Sequence, residues 1–474
     1  MPFAGFFPKH RASSKDIRCA VFRLQRTGTT QGTRMTDATN AHGNLANGAA
    51  KHLDLDEYII TVVMARVTDH FGFFVYAFAS VLVFPAVFFP NYDAATGIML
   101  SFAVFPLAFL VRPFASQVFK RLEPRIGRSG KITLALFVLG GSTMAIGLLP
   151  NYQTAGILAP LLLIVMRIGQ GIGQGGSWDG LTLLLQTNAP ENRRGWYAMI
   201  PQLGAPIGLC VAAAIFYVLT GFLTVQEFVS WGWRWPFFAV LAVNVVSLFA
   251  RLQLIHTEAH EMFKEEALLK SSPFFEMLSV HWKDVLLATF LPLASYAILH
   301  MVTVFPLAFD YLEAQHPVSD FLLLLLVGGV ISIPSVVISG VLSDKFGRRK
   351  MLAAVSVAIA LFSFIVTNLL DGGVTYVLVG YVLLGLSYGQ ASAILPNRFL
   401  KQYRYTASAL SVNLSWIFGA AFAPLVALGL SLNFGVASAG YYLLSGALVT
   451  LAALTVLTFR EKHARQSASS GGDI

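Results

Sequence analysis

Hydrophobic residues in this chain are gathered into long runs instead of alternating regularly with polar ones. Each run holds roughly 20 residues, and a helix of that length crosses the hydrocarbon core of a bilayer, about 30 Å. A soluble helix would expose a polar face at every turn, which these runs mostly lack. The pattern predicts twelve membrane-spanning helices, at residues 60–88, 95–119, 131–149, 155–186, 196–222, 234–254, 285–309, 319–342, 351–370, 374–395, 407–430 and 437–459.

The composition supports this class, because 56% of the residues are hydrophobic and only 12% are charged. Soluble domains carry roughly 25% charged residues. A net charge of +9 would suit a nucleic-acid-binding protein if the basic residues formed one surface. They lie instead in alternate loops, so we predict a lipid bilayer and no nucleic acid among the partners.

Basic residues occupy the loops after the second, fourth, eighth and tenth predicted spans, whereas the opposite loops contain neither Lys nor Arg. The basic set comprises Arg121, Arg125, Arg128, Lys131, Arg193, Arg194, Lys345, Arg348, Arg349, Lys350, Arg398, Lys401 and Arg404. Loops rich in Lys and Arg stay on the cytoplasmic side during membrane insertion. We therefore predict a multi-pass protein of the plasma (inner) membrane with both termini in the cytoplasm.

Polar stretches divide the chain into segments. The predicted organisation is a disordered cytoplasmic N-terminal tail at 1–56, an N-terminal six-helix bundle at 57–254, a cytoplasmic linker at 255–284, a C-terminal six-helix bundle at 285–460 and a cytoplasmic C-terminal tail at 461–474. The linker carries a charged pattern that suits an amphipathic helix on the membrane surface, and a simple connection is the alternative.

The two predicted bundles carry a similar string after their second span. Residues 122–128 read Leu-Glu-Pro-Arg-Ile-Gly-Arg, and residues 342–348 read Leu-Ser-Asp-Lys-Phe-Gly-Arg. A six-span unit repeated in the same orientation has a pseudo-twofold axis along the membrane normal. We therefore predict an all-α membrane fold of two pseudo-symmetric six-helix bundles, with a solute site between them near the bilayer midplane.

The loop at 340–350 is the most specific motif and reads Gly-Val-Leu-Ser-Asp-Lys-Phe-Gly-Arg-Arg-Lys. Gly347 permits a tight turn. Arg348 and Arg349 can pair with Asp344 or cap the C-termini of neighbouring helices, although solvated positive-inside charge is the alternative. The string resembles the signature G-x-L-x-D-x-x-G-R-R-[RK] of the major facilitator superfamily, and this resemblance implies that family's fold. We predict a cytoplasmic gate made of Arg125, Gly127, Arg128, Gly340, Asp344, Gly347, Arg348 and Arg349.

Further strings resemble the metabolite:proton symporter branch of that family and keep its order between about residues 58 and 460. They are Arg112-Pro113 and the segments 167–171, 175–180, 188–195, 201–204, 231–237 and 404–406. The resemblance implies transport of organic acids or zwitterionic solutes, coupled to protons.

The chain departs from that branch at ionisable positions. The branch usually has glutamate where Ser177 stands and glycine where Asp179 stands. Its first-span glutamate and aspartate are Asp69 and Gly72 here, and its first-half loop aspartate is Pro124. These departures leave substrate class and proton coupling open.

Charged residues inside a span cost about 2.5–3.5 kcal/mol each on insertion scales, so the few present are functional candidates. Asp179 follows Arg167 by roughly three helical turns and shares its face, and Asp69 can pair with Arg112. A carboxylate whose arginine is drawn away binds a proton more readily. We therefore predict proton coupling by Asp69, Asp179, Arg112 and Arg167. Static ion pairs are the alternative, with Arg66 reaching to the interface.

Polar residues within the spans form the predicted substrate pathway, which comprises Tyr76, Gln170, Trp178, Gln202, Tyr296, His300 and Gln390. His300 follows Tyr296 by one helical turn, so both share a face. A packed, hydrogen-bonded histidine is the alternative. The glycine-rich stretch 171–176 is explained by close helix packing, because no strand precedes it as a dinucleotide loop would require.

Together these features predict a secondary active transporter that moves a small polar metabolite, an organic acid or zwitterion, by alternating access and proton symport, and that functions as a monomer. The chain has no GxxxxGK[ST] loop for ATP and no nucleophile–base cluster in its spans, so neither ATP drive nor an enzyme is predicted. Cys19 and Cys210 lie far apart, and we predict no metal and no cofactor. A proton-coupled exporter of amphipathic compounds and a non-transporting nutrient sensor are the alternatives.

Overall fold

The computed structural model describes residues 55–177, 180–255, 272–314, 316–391 and 398–470, and its regular structure there is helical. Ten of the helices in these ranges are long and apolar enough to cross a membrane, and Val374–Tyr388 is a shorter apolar one. The segment Ala94–Gly147 contains both the second and the third predicted span. The predicted twelve-span architecture is therefore confirmed.

The helices of spans 1 to 6 follow the predicted runs closely. They are Leu55–Leu82 with Phe84–Phe88 (span 1), Ala94–Val104 and Leu107–Gly147 (spans 2 and 3), Leu158–Gly176 with Leu181–Thr187 (span 4), Arg194–Met199, Ile200–Leu203 and Gly204–Phe222 (span 5), and Trp235–Ile255 (span 6). Short helices Tyr152–Ala155, Glu191–Arg193, Val225–Ser230 and Gly232–Arg234 lie in the connections.

The helices of spans 7 to 12 contain more interruptions. They are Phe274–Phe290, Leu293–Val302, Val304–Phe309 and Asp310–Ala314 (span 7), Val318–Phe346 (span 8), Arg348–Phe362 and Ser363–Asp371 (span 9), Val374–Tyr388 (span 10), Arg404–Trp416, Ile417–Ala421 and Ala423–Phe434 (span 11), and Ala439–Ser470 (span 12), with a short turn at Val436–Ser438.

Span 7 begins earlier than predicted. Its helix starts at Phe274, directly after Pro273, whereas the sequence pattern placed 272–284 in the polar linker. Proline pre-sets a backbone angle that suits the start of a helix. Met277 and His281 are buried on the inner face of this first stretch, while Phe275 is exposed, so the stretch packs against neighbouring helices and extends the span. The rest of the predicted linker, 256–271, lies outside the described residues.

The loops that carry the repeated string have the same backbone turn. Gly127 has φ +71° between spans 2 and 3, and Gly347 has φ +89° between spans 8 and 9. Both values lie in the left-handed region that favours glycine. The sequence repeat therefore corresponds to a repeated turn at the same topological position. We call the end of the molecule that holds these two loops the basic end.

Span 4 approaches span 3 closely through its glycine face. A Cβ atom at Gly173 would lie 2.5 Å from the Leu139 nitrogen and 2.7 Å from the Ala135 carbonyl oxygen. Backbone atoms cannot yield as side chains do, so glycine is required there. Small residues at such positions let membrane helices pack without a hydrophobic driving force.

We expect Gly173→Ala to lower the thermal stability of the purified protein, because overpacking typically costs about 1–3 kcal/mol. Gly141→Ala is the matched control, since a Cβ there meets nothing within 4 Å. Melting followed by intrinsic fluorescence in detergent compares the two. Equal melting temperatures for both variants would contradict the packing argument.

The two halves meet along spans 5 and 8 and along spans 2 and 11. At the end opposite the basic loops, Val304–Phe309 of span 7 is wholly buried and packs against span 1. There Gly429 of span 11 also lies near Met99 of span 2. That end is therefore closed by contacts between the halves.

Candidate functional site

A cavity with an empty volume of about 710 Å³ lies among spans 1, 2, 4 and 6 and is covered by Trp416 of span 11. Its walls are formed by Val62, Ala65, Arg66, Asp69, His70, Phe73, Phe109, Arg112, Gln174, Ser177, Thr182, Arg251 and Trp416. A second chamber, of about 630 Å³, shares Arg112 and Gln174 with the first. It continues between spans 2 and 11 to Lys120 and Thr406, near the basic end.

Asp69 of span 1 carries a carboxylate in the wall of the first cavity. Its Oδ2 lies 3.3 Å from Nη1 of Arg66, and its Oδ1 lies 3.5 Å from Nη2 of Arg251. The Asp69 side chain is 18% exposed, so water in the cavity can reach it. The predicted partner was Arg112, but the structure gives Asp69 two other arginines. Arg66 thus lines the cavity.

Arg251 of span 6 is a site residue that the sequence reasoning missed. It is buried, and its guanidinium donates to the carbonyl oxygens of Ser177 and Ala65, each at 3.2 Å. It therefore joins spans 1, 4 and 6 around Asp69. The available signal was a single arginine inside the apolar run Trp235–Ile255, four residues from its end.

Arg112 of span 2 lies in both chambers and is half-buried. Its guanidinium carbon is 5.6 Å from the ring centre of Phe109 and 5.9 Å from that of Trp416. Within the described part of the chain its Nε has no hydrogen-bond partner and it forms no ion pair. Aromatic faces attract a cation but leave its donors free. Arg112 is thus a cation with unused hydrogen-bond donors facing a cavity.

His70, one turn from Arg66, connects the two halves. Its Nδ1 lies 2.7 Å from the Arg66 carbonyl oxygen, and its Nε2 lies 3.1 Å from the Tyr388 hydroxyl of span 10. A carbonyl oxygen only accepts, so Nδ1 carries the hydrogen; in the neutral ring Nε2 accepts from the tyrosine. His70, which joins the two halves, therefore lies next to Arg66, which binds Asp69.

Four aromatic rings pack together at the inner side of the cavity: Phe73, Phe109 and Trp416, which line it, and Phe105, which packs against Phe73 and Phe109. We call them the aromatic barrier. The Phe73 ring centre lies 5.4 Å from that of Phe105 and 5.6 Å from that of Trp416, and Phe109 stacks on Trp416 at 5.5 Å. The barrier lies between the cavity and His300, whose ring is 5.2 Å from that of Phe73.

The predicted residues Arg167, Gln170, Tyr76 and His300 form a buried group next to the barrier and do not line the cavity. Arg167 donates to the Phe105 carbonyl oxygen at 2.9 and 3.1 Å and to the Gln170 amide oxygen at 2.8 Å, and it stacks over Tyr76 at 3.9 Å. Neither ring nitrogen of His300 has a hydrogen-bond partner among the described residues. The arrangement makes Arg167 a structural centre of this group.

The other predicted substrate residues lie apart. Tyr296 is buried against the rings of Tyr388 and Trp416, on the span 7 side of the barrier. Gln202 is buried in the turn Ile200–Leu203 of span 5. Trp178 and Asp179 lie outside the described residues, so their predicted roles stay predictions.

At the basic end, spans 5 and 8 are joined across the halves by a set of polar contacts that we call the latch. The backbone N–H groups of Gly195 and Trp196 donate to the Asp344 carboxylate at 2.5 and 3.0 Å. Arg348 donates to the Arg194 carbonyl oxygen at 2.8 Å, and Gln390 donates to that of Gly195 at 3.1 Å. Asp344 thus caps the first turn of the helix Arg194–Met199, where a carboxylate is favoured.

This geometry corrects the predicted arginine contacts. Arg349 binds Glu461 of span 12, which also accepts from Arg398 at 2.9 Å. The Asp344 carboxylate is directed to backbone amides of the other half instead of to Arg349. Gln390, predicted in the substrate pathway, belongs to the latch.

The first half has no matching carboxylate contact among the described residues. Pro124 stands where Asp344 stands in the second half, and the neighbouring Glu123 pairs with Lys131 at 3.0 Å. Near the basic end, Lys120 of span 2 donates to Thr406 of span 11 across a long distance of 3.5 Å. The second chamber opens beside this contact. Arg125 is exposed there, and Gly127 and Arg128 form the turn.

Sequence profiles of two protein families match the chain. The family described as Major Facilitator Superfamily matches residues 162–417, and the family described as Sugar (and other) transporter matches residues 58–260.

Relatives match over most of their length. An inner membrane metabolite transport protein of Escherichia coli is 36% identical over 421 residues, which cover 86% of this chain and 95% of that protein. The shikimate transporter of Escherichia coli is 28% identical over 431 residues, which cover 89% of this chain and 97% of that protein. The proline/betaine transporter of Escherichia coli is 28% identical over 424 residues, which cover 86% of this chain and 84% of that protein.

Solved structures share the fold. The crystal structure of a D-xylose–proton symporter superposes with a TM-score of 0.62 at 17% identity, covering 84% of this chain and 96% of that one. An inward open conformation of the xylose transporter from Escherichia coli superposes with a TM-score of 0.56 at 15% identity, covering 84% and 94%.

Proposed function

The chain belongs to the major facilitator superfamily and is a membrane transporter, not an enzyme, and from that premise we propose that it takes up a small organic acid or zwitterion by proton symport. The observation that carries the proposal is the placement of Asp69 and Arg112 in the walls of one cavity. The Asp69 carboxylate can exchange a proton, and the Arg112 guanidinium can bind an anionic group. The basic end then faces the cytoplasm, as the loop charges favour.

Asp69 has the properties of a proton carrier. It is the carboxylate of the cavity wall, and both of its arginine contacts are long for charge-assisted bonds, which are usually about 2.7–2.9 Å. Small movements of Arg66 or Arg251 would change how strongly the ionised form is stabilised. Movement of span 6 relative to span 1 would therefore change the contact between Arg251 and the Asp69 carboxylate. Asp179, the second predicted carrier, remains part of the proposal on its sequence position alone.

Arg112 is the proposed anchor for the substrate. Its donors are not used by other described residues, and a guanidinium presents paired N–H groups that match a carboxylate. The adjacent rings of Phe109 and Trp416 offer an apolar surface to the body of a small solute. Two relatives whose names give a carboxylated solute, shikimate and proline/betaine, support this class.

The latch and the second chamber suggest how the cavity opens. Spans 5 and 8 are held together by Asp344, whereas spans 2 and 11 lack the matching carboxylate and border the chamber. The proposed path to the cytoplasm therefore runs between spans 2 and 11. Alternating access requires this side to close and the aromatic barrier to part.

A proton-coupled exporter is the second candidate, because the same fold and the same pair of residues would serve transport in the other direction. Acidifying the outside of cells that contain the protein should increase uptake if it is a symporter. Loss of a preloaded solute under the same gradient would support the exporter.

We expect Arg112→Gln to raise the apparent KM for the transported solute by about 10- to 100-fold, since a hydrogen bond to a charged group contributes about 1.5–3 kcal/mol. Solute counterflow in proteoliposomes measures this KM without requiring a proton gradient. Arg112→Lys keeps the charge but loses the paired donors, so an intermediate KM is expected. An unchanged KM in Arg112→Gln would contradict the role of Arg112 and leave the carrier role of Asp69 to be judged separately.

A further inference from the structure

A groove lies on the outer surface between spans 7 and 12 near the basic end, away from the transport cavity. Its empty volume is about 870 Å³. Its lining residues are Trp282, Lys283, Leu286, Leu287, Phe290, Val449, Ala452, Ala453, Val456 and Arg460. Their spacing of three or four residues places each set on one face of its helix. The groove is therefore formed by two adjacent helix faces.

The floor of the groove is apolar. Leu286 and Val456 are 47% and 49% exposed. Two alanines in succession, Ala452 and Ala453, leave the space that larger side chains would fill. From Phe290 to Trp282 the helix rises about 12 Å. This length and shape fit an acyl chain running along the surface of the protein.

The mouth of the groove is positively charged. The exposed Lys283 ammonium lies 5.5 Å from the Trp282 ring centre and has no carboxylate partner among the described residues. Arg460 contacts Asp284 at 3.4 Å, and Asp284 also contacts His281 at 3.3 Å. The Asp284 carboxylate offsets one of the two positive charges of Lys283 and Arg460, which leaves a net positive charge at the mouth. Tryptophan beside lysine is typical of the headgroup level of a bilayer.

We propose that this groove is a binding site for one anionic phospholipid. The phosphate group contacts Lys283 and Arg460, and an acyl chain lies over Ala452 between the two helix faces. Basic residues at the membrane surface attract anionic lipids, and an apolar groove below them restricts the ligand to a lipid. The site touches span 7, whose opposite end packs against span 1. A bound lipid would therefore fix the start of a span that contributes to closing the transporter.

The test is native mass spectrometry of the full chain with added phosphatidylglycerol or phosphatidylcholine of identical acyl chains. Wild type should retain phosphatidylglycerol in preference to phosphatidylcholine. Lys283→Gln should lower phosphatidylglycerol retention about fivefold, the usual contribution of one basic residue near a membrane surface. Ala452→Phe should lower retention of both lipids by filling the groove, and Ala452 is exposed, so the fold should tolerate the change.

Lys401→Gln is the matched control, an exposed lysine at the same end outside the groove. It should leave retention unchanged. Equal retention of both lipids by wild type, or wild-type retention by Lys283→Gln, would overturn the proposal. Loss with Lys283→Gln but not with Ala452→Phe would also overturn it, because a headgroup bound without its chain is not a lipid in this groove.

Discussion

Replacing Asp69 with asparagine is expected to abolish uphill accumulation of the transported solute while leaving solute counterflow in place. Asparagine keeps the size of the side chain and one acceptor oxygen, but its amide carries no charge and cannot bind or release a proton in this pH range. A gradient of one pH unit stores about 1.4 kcal/mol per coupled proton, which supports about tenfold accumulation. The variant should fall from that level to simple equilibration. Uptake and counterflow are measured in the same proteoliposomes.

Asp371→Asn is the control for this experiment, because Asp371 is an exposed aspartate at the end of span 9, outside the cavity. It should accumulate solute as wild type does. Asp179→Asn, tested in parallel, examines the second predicted carrier. Retained accumulation in Asp69→Asn would exclude Asp69 as the carrier. Loss of counterflow together with accumulation would mean that the substitution damages the fold or the substrate site, and thermal melting separates those two outcomes.

Asp344→Asn should reduce turnover about tenfold and change KM by less than about twofold. The carboxylate accepts two backbone hydrogen bonds from the other half, and bonds to a charged acceptor contribute about 1.5–3 kcal/mol each. A loss of about 1.4 kcal/mol, close to the lower value for one such bond, shifts a two-state equilibrium by about tenfold. Neither chamber that Arg112 lines includes a residue of the latch, so solute affinity should be little affected. Initial rates over a range of solute concentrations separate the two parameters.

Lys345→Gln, which changes the next residue in the same loop, is the control for the latch. Lys345 is exposed and its ammonium faces the Phe346 ring, so its loss should leave turnover close to wild type. Unchanged turnover in Asp344→Asn would mean that the contact between spans 5 and 8 does not limit the transport cycle.

The fold could be predicted from the sequence because the signals that define it are local. Apolar runs of membrane length, alternating loop charge and a glycine in each repeated loop each act within a few turns of helix. The start of span 7 was the exception. Charged residues before Phe274 suggested a linker, yet the face carrying Met277 and His281 is buried by neighbouring spans. Burial from another span leaves little trace in the local pattern.

The site was predicted only in part, for the same reason. Asp69 and Arg112 were selected because charge inside a span is costly. The residues that contact them could not be predicted, because spacing along one helix cannot show which neighbouring helix supplies a side chain. Arg251, which lies within the predicted span 6 at 234–254, binds Asp69 of span 1. Asp344 binds the backbone amides of Gly195 and Trp196. Because every residue except proline has such an amide, the sequence does not indicate which ones a carboxylate will bind.

The most direct test of the proposed symport is solute-dependent proton entry into proteoliposomes that contain a trapped pH dye. Organic acids, amino acids and betaines are added singly to wild type, with the outside held one pH unit more acidic and with the gradient collapsed by a protonophore. We expect at least one solute to acidify the lumen and to accumulate about tenfold, with both effects lost when the gradient is removed. Solute flux that is independent of the gradient, or loss of preloaded solute under it, would contradict proton-coupled uptake.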